Sequence, residues 1–407
     1  MAKSVLVYTN HYYPENFKIN EVVEAFDQRG YKVTVITCIP NYPSGKIYPG
    51  YGFFKKNKEK KGNVTVRRLP LIPRGSGSKI RMVLNYLSYF FSVMLYTFYL
   101  ILFKKRYDFV FVHHTSPLFI AISPILYKKL KRKTKLILWD LDIWPDTLKA
   151  LDVIKNEKTL KKIERIVIRI YRNYDQILVT SQSFVSIVRN RVNNVPVSYF
   201  PNWAEDVFTK GTIEIPEIEP DFSFNGLKIM FAGNIGESQD TACIFETMKM
   251  LKKENINWLF VGDGRMKQSL EDLVLKEGMQ DKVAFYGNYP IRYMPYFFSK
   301  ADVMLLSLKD KEVFRNTVPA KLQAYMAFEK PVIAMISGEG ANIIRVSNCG
   351  WVTDSGNFHE LAGIIQTVEK LDKAELLSTG LKGSNYFNLH FSKELRFNQL
   401  FEMIENA

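Results

Sequence analysis

Cysteine is scarce: Cys38, Cys243 and Cys349 are scattered through 407 residues, with no Cys-x-x-Cys and no Cys/His cluster. That excludes a disulfide framework, offers no zinc site, and points to a reducing, cytosolic compartment. No secretory leader is expected from the first apolar run either, because residues 4 to 8 are too short and are interrupted at once by Asn10 and His11. Acid is rare in the first third: residues 1–135 hold 17 Lys and 7 Arg against 6 Asp and Glu, whereas the whole chain is only +15. The basic excess therefore belongs to that third alone, in Lys55–Lys61, Arg67-Arg68, Lys104-Lys105-Arg106 and Lys128–Lys135. Such a surface attracts nucleic acid or anionic lipid, and no nucleic-acid-binding module accompanies it, so lipid is the expected partner.

What is present is a plan used twice. Residues 3–10 form a short apolar strand running into a polar loop and a helical pattern at Asn20–Gln28. Gly226–Gly236 repeats it, with glycines in the loop and a helical pattern at Thr241–Lys253. A buried strand feeding a loop and a helix N-terminus presents backbone N–H groups to phosphate or sugar. Two such starts, in a chain too long for one core, imply an α/β protein of two Rossmann-like domains facing each other across a cleft.

Alternating strands and helices continue through both halves, which predicts parallel sheets covered on both faces. Residues 209–225 break the pattern with Pro216, Pro220 and four acids, and are read as a linker. The expected layout is an N-terminal domain at 1–208, the linker, a C-terminal domain at 226–390, and a closing helix within 391–407. Inside the first domain Met82–Phe103 runs 22 residues without a formal charge. As a helix it would measure about 33 Å, enough to cross a bilayer core. Asn85, Ser88, Ser92, Tyr96 and Tyr99 fall on one stripe, however, and basic residues flank both ends. A helix lying in the membrane interface or against its own domain is favoured over a buried core helix or a span.

Val318–Ile333 reads as a loop, a helix and a strand, with Pro319 suited to the first helical turn and Lys321 adding charge at its positive end. Alone, Lys321 would pass for a solvated helix lysine. Its context is more specific: the segment resembles the C-terminal signature of family 4 retaining glycosyltransferases of the GT-B fold. Asn41–Tyr51, Asp142–Asp146, Phe200–Trp203, Phe231–Gly236, Val261–Arg265 and Phe285–Asn288 fit the same subgroup in order. That subgroup is the bacterial capsule, O-antigen and colanic acid transferases of the N-acetyl-L-fucosamine transferase type.

The resemblance implies donor contacts from Gly233, Asn234, Gly236, Gly262, Gly264, Arg265, Arg315, Asn316, Pro319 and Lys321. It further implies a donor-contacting histidine at His113 or His114, after the strand Phe109–Val112; with Lys321 these are the catalytic candidates. Acceptor contacts are expected from Glu15, Asn16, Asp142 and Asp146. No metal and no cofactor is called for; Asp140-Leu141-Asp142 spells a metal-binding Asp-x-Asp but abuts an apolar strand. Two departures stand out. The family's Glu-x7-Glu acids fall at Asn316 and Ala324, and its diphosphate-gripping Arg and Lys fall near Asn234 and Gln239. Arg265, Lys321 and Arg315 are left to meet the phosphate charge.

The function implied is transfer of a sugar, of the N-acetylated amino type, from a nucleotide-diphosphate donor to a polyprenyl-diphosphate-linked saccharide. It would occur in surface-polysaccharide synthesis on the cytoplasmic face of the membrane, with the protein held peripherally or monotopically. The alternatives are a GT-B sugar-nucleotide epimerase and an inactive membrane-associated binding partner.

Overall fold

The structure is a computed structural model that describes residues 2–406 apart from 76, 77, 105, 151, 210 and 212, and leaves aside the side chains of Lys79 and Asn406. Lys105 of the basic cluster lies outside the described residues. The chain divides into two compact units, Met1–Phe200 with Gln399–Ala407, and Pro201–Asn398.

The first unit runs β1 (Ser4–Thr9), α1 (Ile19–Gln28), β2 (Lys32–Cys38), β3 (Lys58–Lys61), β4 (Val64–Leu69), α2 (Lys79–Phe103), β5 (Phe109–His114), α3 (Ile122–Leu130), β6 (Lys135–Asp140), α4 (Asp146–Ala150), α5 (Glu157–Tyr171), β7 (Gln176–Val179), α6 (Gln182–Arg191) and β8 (Val197–Tyr199). Its sheet has the order β3-β4-β2-β1-β5-β6-β7-β8. All neighbours are parallel except β3 and β4, whose antiparallel pairing puts Lys61 opposite Val64. Val5–Tyr8 and Val110–Val112 are wholly buried, as expected of parallel strands covered on both faces. β3, Lys-Glu-Lys-Lys, read from sequence only as a charge cluster, is an edge strand whose lysines discourage pairing with another chain.

The second unit runs β9 (Leu227–Ala232), α7 (Thr241–Met250), β10 (Ile256–Val261), α8 (Lys267–Lys276), β11 (Val283–Gly287), α9 (Met294–Lys300), β12 (Val303–Ser307), α10 (Glu312–Arg315), α11 (Ala320–Ala327), β13 (Val332–Met335), α12 (Glu339–Ser347), β14 (Gly350–Thr353), α13 (Phe358–Glu369), α14 (Lys373–His390) and α15 (Lys393–Asn406). Its all-parallel sheet has the order β11-β10-β9-β12-β13-β14. Strand order reverses between β9 and β12, and in the first sheet between β1 and β5. Loops leave such a point in opposite directions, opening a crevice at the carboxyl ends of the strands.

Residues 209–225, expected to be a linker, belong to the second unit. Phe222 packs on Tyr286 and Phe297, and the Tyr286 hydroxyl donates to the carbonyl of Asp221. The last helix is divided between the units: Phe397 packs edge-on to Trp203, whereas Phe401 meets Phe26, Tyr31 and the guanidinium of Arg29.

The helix α2 is built inside out. Asn85 donates to the carbonyl of Ile72, Ser88 accepts from the Ile72 N–H, and Ser92 donates to the carbonyl of Pro70. The polar stripe thus faces the protein, satisfying backbone that leaves β4 with no ladder partner. Tyr89, Val93, Thr97 and Leu100 fill the core beneath. Outward point Phe91 (60% exposed), Leu95 (71%), Leu102 (71%) and Phe103 (70%). Ile80–Phe103 is long and apolar enough to cross a membrane by length and composition.

Candidate functional site

At the carboxyl edge of the second sheet two backbone segments are drawn together. The Gly233 N–H donates to the carbonyl of Val261 at 2.8 Å, and the Ile235 N–H to that of Asp263 at 2.8 Å. Gly262 has φ +138°, and a Cβ on it would lie 2.0 Å from the carbonyl oxygen of Gly233. Only glycine lets the loops after β9 and β10 run this close. Gly233, at φ +121°, leaves the space that the Lys321 stem occupies: a Cβ there would come within 2.8 Å of Lys321 Cε.

Lys321 lies in the first turn of α11, directly after Pro319, which forms the N-cap rather than the first helical residue. Its Nζ sits 3.6 Å from the Phe231 ring centroid and donates to Gln239 Oε1 at 3.1 Å. Among the described residues no carboxylate pairs with it. Burial of the ammonium lowers its pKa from 10.5 to about 7. The ring face and one amide oxygen are weak compensation for a desolvated cation, so the energetic remedy is an anion. Gln239 stands near a place where the family usually has a cation, and here it orients one instead.

The remaining donor candidates divide. Asn234 and Gly264 lie in the loops after β9 and β10, the Asn234 amide filling the space that a Cβ on Gly236 would need and the Ile235 carbonyl that of Gly264. Arg265 is exposed. Arg315 is engaged elsewhere: its Nε donates to Asp310 at 2.5 Å and a second nitrogen bonds the other oxygen, so it is not a free cation. Ala324 is buried on α11, and Asn316 follows α10. Neither offers a carboxylate.

In the first unit the histidines are core residues. Both are the last residues of β5, at the carboxyl edge where the strand was expected to end, and both are completely buried. His113 Nδ1 lies 2.9 Å from Thr9 Oγ1 and its ring packs on Trp139; burial and the neighbouring His11 and His114 pull its pKa to about 3. His114 Nδ1 meets Asp140 Oδ1 at 2.6 Å, and the Tyr171 hydroxyl donates to the other Asp140 oxygen. Asp140 is thereby committed to a buried network.

Two of the expected acceptor contacts are likewise structural. Glu15 is buried and accepts the N–H groups of Asn41 and Tyr42, both at 2.7 Å, and meets His11 Nδ1 at 2.6 Å, tying the loop after β2 to the loop after β1. Asp146 is ion-paired with Arg191 at 2.5 Å. Asp142 accepts from Ser116, which also takes the Trp144 indole N–H at 2.8 Å. Asn16 is exposed. Sequence reasoning missed Gln239, Thr9 and Tyr171. Only Gln239 had a signal, its place where a cation was expected.

Two parallel-sheet units, each with its strand order reversed at a carboxyl-edge crevice, define the GT-B class of α/β enzymes. Residues 218–377 match the family model of glycosyl transferases group 1. The chain is 26% identical over 311 residues, 74% of its length and 75% of the relative's, to a probable glycosyltransferase, WbjE, of Pseudomonas aeruginosa. It is 25% identical over 338 residues, 79% of the chain and 81% of the relative, to the putative colanic acid biosynthesis glycosyl transferase WcaI of Escherichia coli. Among solved structures, Anabaena HepE in complex with UDP superposes with a TM-score of 0.67 at 13% identity, covering all of both chains. The chain has the GT-B fold and is a glycosyltransferase, with residues 218–377 similar to group 1.

Proposed function

We propose that this glycosyltransferase moves a sugar, with retention, from a nucleoside-diphosphate donor bound by the second unit to a lipid-linked saccharide in bacterial surface-polysaccharide synthesis. The observation that carries it is Lys321, a desolvated ammonium with no counter-charge among the described residues, packed against the glycine loop after β9. As the sugar–phosphate bond breaks, charge grows on the leaving diphosphate while the sugar gains oxocarbenium character. Lys321 and the N–H groups at the start of α11 stabilise that leaving group, and a fixed cation in a dry setting needs no reorganisation when the bond breaks. Loss of Glu-x7-Glu leaves sugar and ribose hydroxyls to neutral partners, Asn316 among them. HepE, solved in complex with UDP, and WcaI, named for colanic acid biosynthesis, support the donor class and the polymer class.

The lipid-linked acceptor is supported by α2. A helix that turns its polar stripe inward and leaves Phe91, Leu95 and Leu102 in water gains about 1.5–3 kcal/mol for each large side chain that enters lipid. Lys104 and Arg106 at its end, with the lysines on α3, suit an anionic surface. The expected position is the cytoplasmic face of the membrane, with α2 in the interface. The test is turnover of a panel of nucleotide sugars with a polyprenyl-diphosphate saccharide, read by mass spectrometry of the lipid product. Epimerised nucleotide sugar without acceptor, or binding without turnover, would replace this reading with one of its alternatives.

A further inference from the structure

A narrow pocket at the carboxyl edge of the first sheet is used by none of the roles above. Loops after β1, β2, β4 and β5 reach it, and the shoulder of α2 closes it. Within it the Arg74 guanidinium carbon lies 5.4 Å from the ring centroids of both Tyr42 and Tyr86. The rings fix the cation without neutralising it. No carboxylate pairs with Arg74 among the described residues, and its Nε, shielded from solvent, has no acceptor. A shielded guanidinium N–H is costly until an anion takes it.

Beside it Asn10 spends its amide nitrogen on the carbonyls of Thr115 and Ser116, at 3.4 Å each. Its Oδ1 is left buried with no donor. One donor and one acceptor are therefore unmet in one pocket, and a ligand carrying both an anion and a hydroxyl would satisfy them. The remaining wall is aromatic: Phe90 packs against Phe119 and Phe91, both exposed, and so leads to the outward face of α2. The ligand would also carry a hydrocarbon tail.

We propose that this pocket holds the head of the lipid-linked acceptor, with Arg74 on a phosphate oxygen, Asn10 Oδ1 on a hydroxyl of the first sugar, and the isoprenoid running past Phe90 and Phe119 onto α2. The inference rests on the lipid-acceptor reading and supplies contacts that Glu15 and Asp146, already committed, do not.

Calorimetric titration of the full chain tests it, with farnesyl diphosphate as the probe and inorganic pyrophosphate and farnesol as comparisons. Farnesyl diphosphate should bind at least about tenfold tighter than either comparison, because head and tail each contribute. Arg74→Gln should weaken it about tenfold or more, Arg74→Lys should restore part of the loss, and Lys321→Ala should leave it within about twofold. If Arg74→Gln does not fold, as judged by its melting curve, Phe119→Glu on the exposed wall should show the same selective loss.

Equal affinity for pyrophosphate would make this a free-phosphate site. Unchanged binding in both Arg74→Gln and Phe119→Glu, or loss in Lys321→Ala, would remove the pocket from the acceptor's path. Transfer assays separate the two levels of the argument. An unaltered acceptor KM in Arg74→Gln sinks the pocket and leaves the lipid acceptor standing, whereas wild-type transfer only to water-soluble sugars sinks the lipid acceptor itself.

Discussion

Each unit sets a cation at the carboxyl edge of its sheet with no carboxylate paired to it among the described residues, but the surroundings differ. Lys321 is enclosed by glycine backbone, Phe231 and an amide. Arg74 lies between tyrosines beside a helix whose outer face is apolar. The second unit carries no basic excess, since the chain's positive charge is concentrated in residues 1–135. On the proposed function, bulk charge would mark where a surface meets lipid, and local desolvation where phosphate chemistry is done.

The largest test of that contrast is Lys321→Ala. Removing a donor aimed at a leaving phosphate costs about 10²–10³ in kcat where such groups have been removed elsewhere. Since the wild-type ammonium is desolvated with only an amide oxygen and a ring face beside it, the same change should leave Tm unchanged or slightly raised. A near-normal rate, with the melting curve as control, would take Lys321 out of the donor site.

Next in size is Asp140→Ala, which strands the His114 and Tyr171 partners inside the first core. Breaking a buried pair in this way costs about 3–5 kcal/mol. We expect loss of stability in urea with the acceptor KM unchanged in the protein that remains folded. A fall in kcat at full stability would instead return the His114–Asp140 pair to the reaction.

A helix of 22 uncharged residues and two sheets were legible in the sequence, because apolar strands between glycine turns and helical periods have few other readings. The orientation of α2 was not. The stripe Asn85, Ser88, Ser92 was visible, yet whether it meets water or backbone depends on the segment leaving β4, which periodicity does not encode. His113 and His114 were legible at the end of their strand, but their burial was not, because it depends on Asp140 and Thr9, partners that lie far off in the sequence. Lys321 was legible as a charge at a helix start, but its enclosure by Phe231 and Gln239 came only with the fold.

Leu95→Glu with Phe91→Glu should lower binding to vesicles of anionic phospholipid by about tenfold or more, given the transfer energy of each side chain. Turnover of any acceptor presented in detergent should stay within a few-fold. Release of the wild-type chain from membranes by high salt, rather than by detergent alone, would distinguish interfacial contact from a span. Retention of both variants on vesicles would shift the contact to the lysine clusters.

The pKa of Lys321 gives a smaller effect with a definite sign. Its folded value, about 7, is depressed below the ordinary 10.5, so between these values the unfolded chain binds more protons and stability rises with pH. A bound diphosphate favours the charged form and reverses that preference. With UDP as the probe, binding at pH 8 should therefore take up a proton, measurable by calorimetry in buffers of different ionisation enthalpy. Affinity should fall up to about tenfold per pH unit above 7. Lys321→Arg should flatten the profile, and proton-neutral binding in the wild type would show that Lys321 stays charged throughout.

Arg315 should matter least, and for that reason it sharpens the contrast with Lys321. Both stand near the start of α11, and a count of cations would give them equal claim on the diphosphate. Arg315, however, is exposed and already holds both oxygens of Asp310. Leaving that carboxylate for a phosphate exchanges one ion pair in water for another, with little net gain. Exposed pairs contribute about 0–1 kcal/mol, so Arg315→Gln should change Tm by no more than a degree or two and donor KM by less than about twofold. A tenfold rise in donor KM would mean that Arg315 abandons Asp310 when the donor binds. In that case availability on ligand arrival, rather than desolvation in the free protein, would be the property that selects a phosphate-binding cation here.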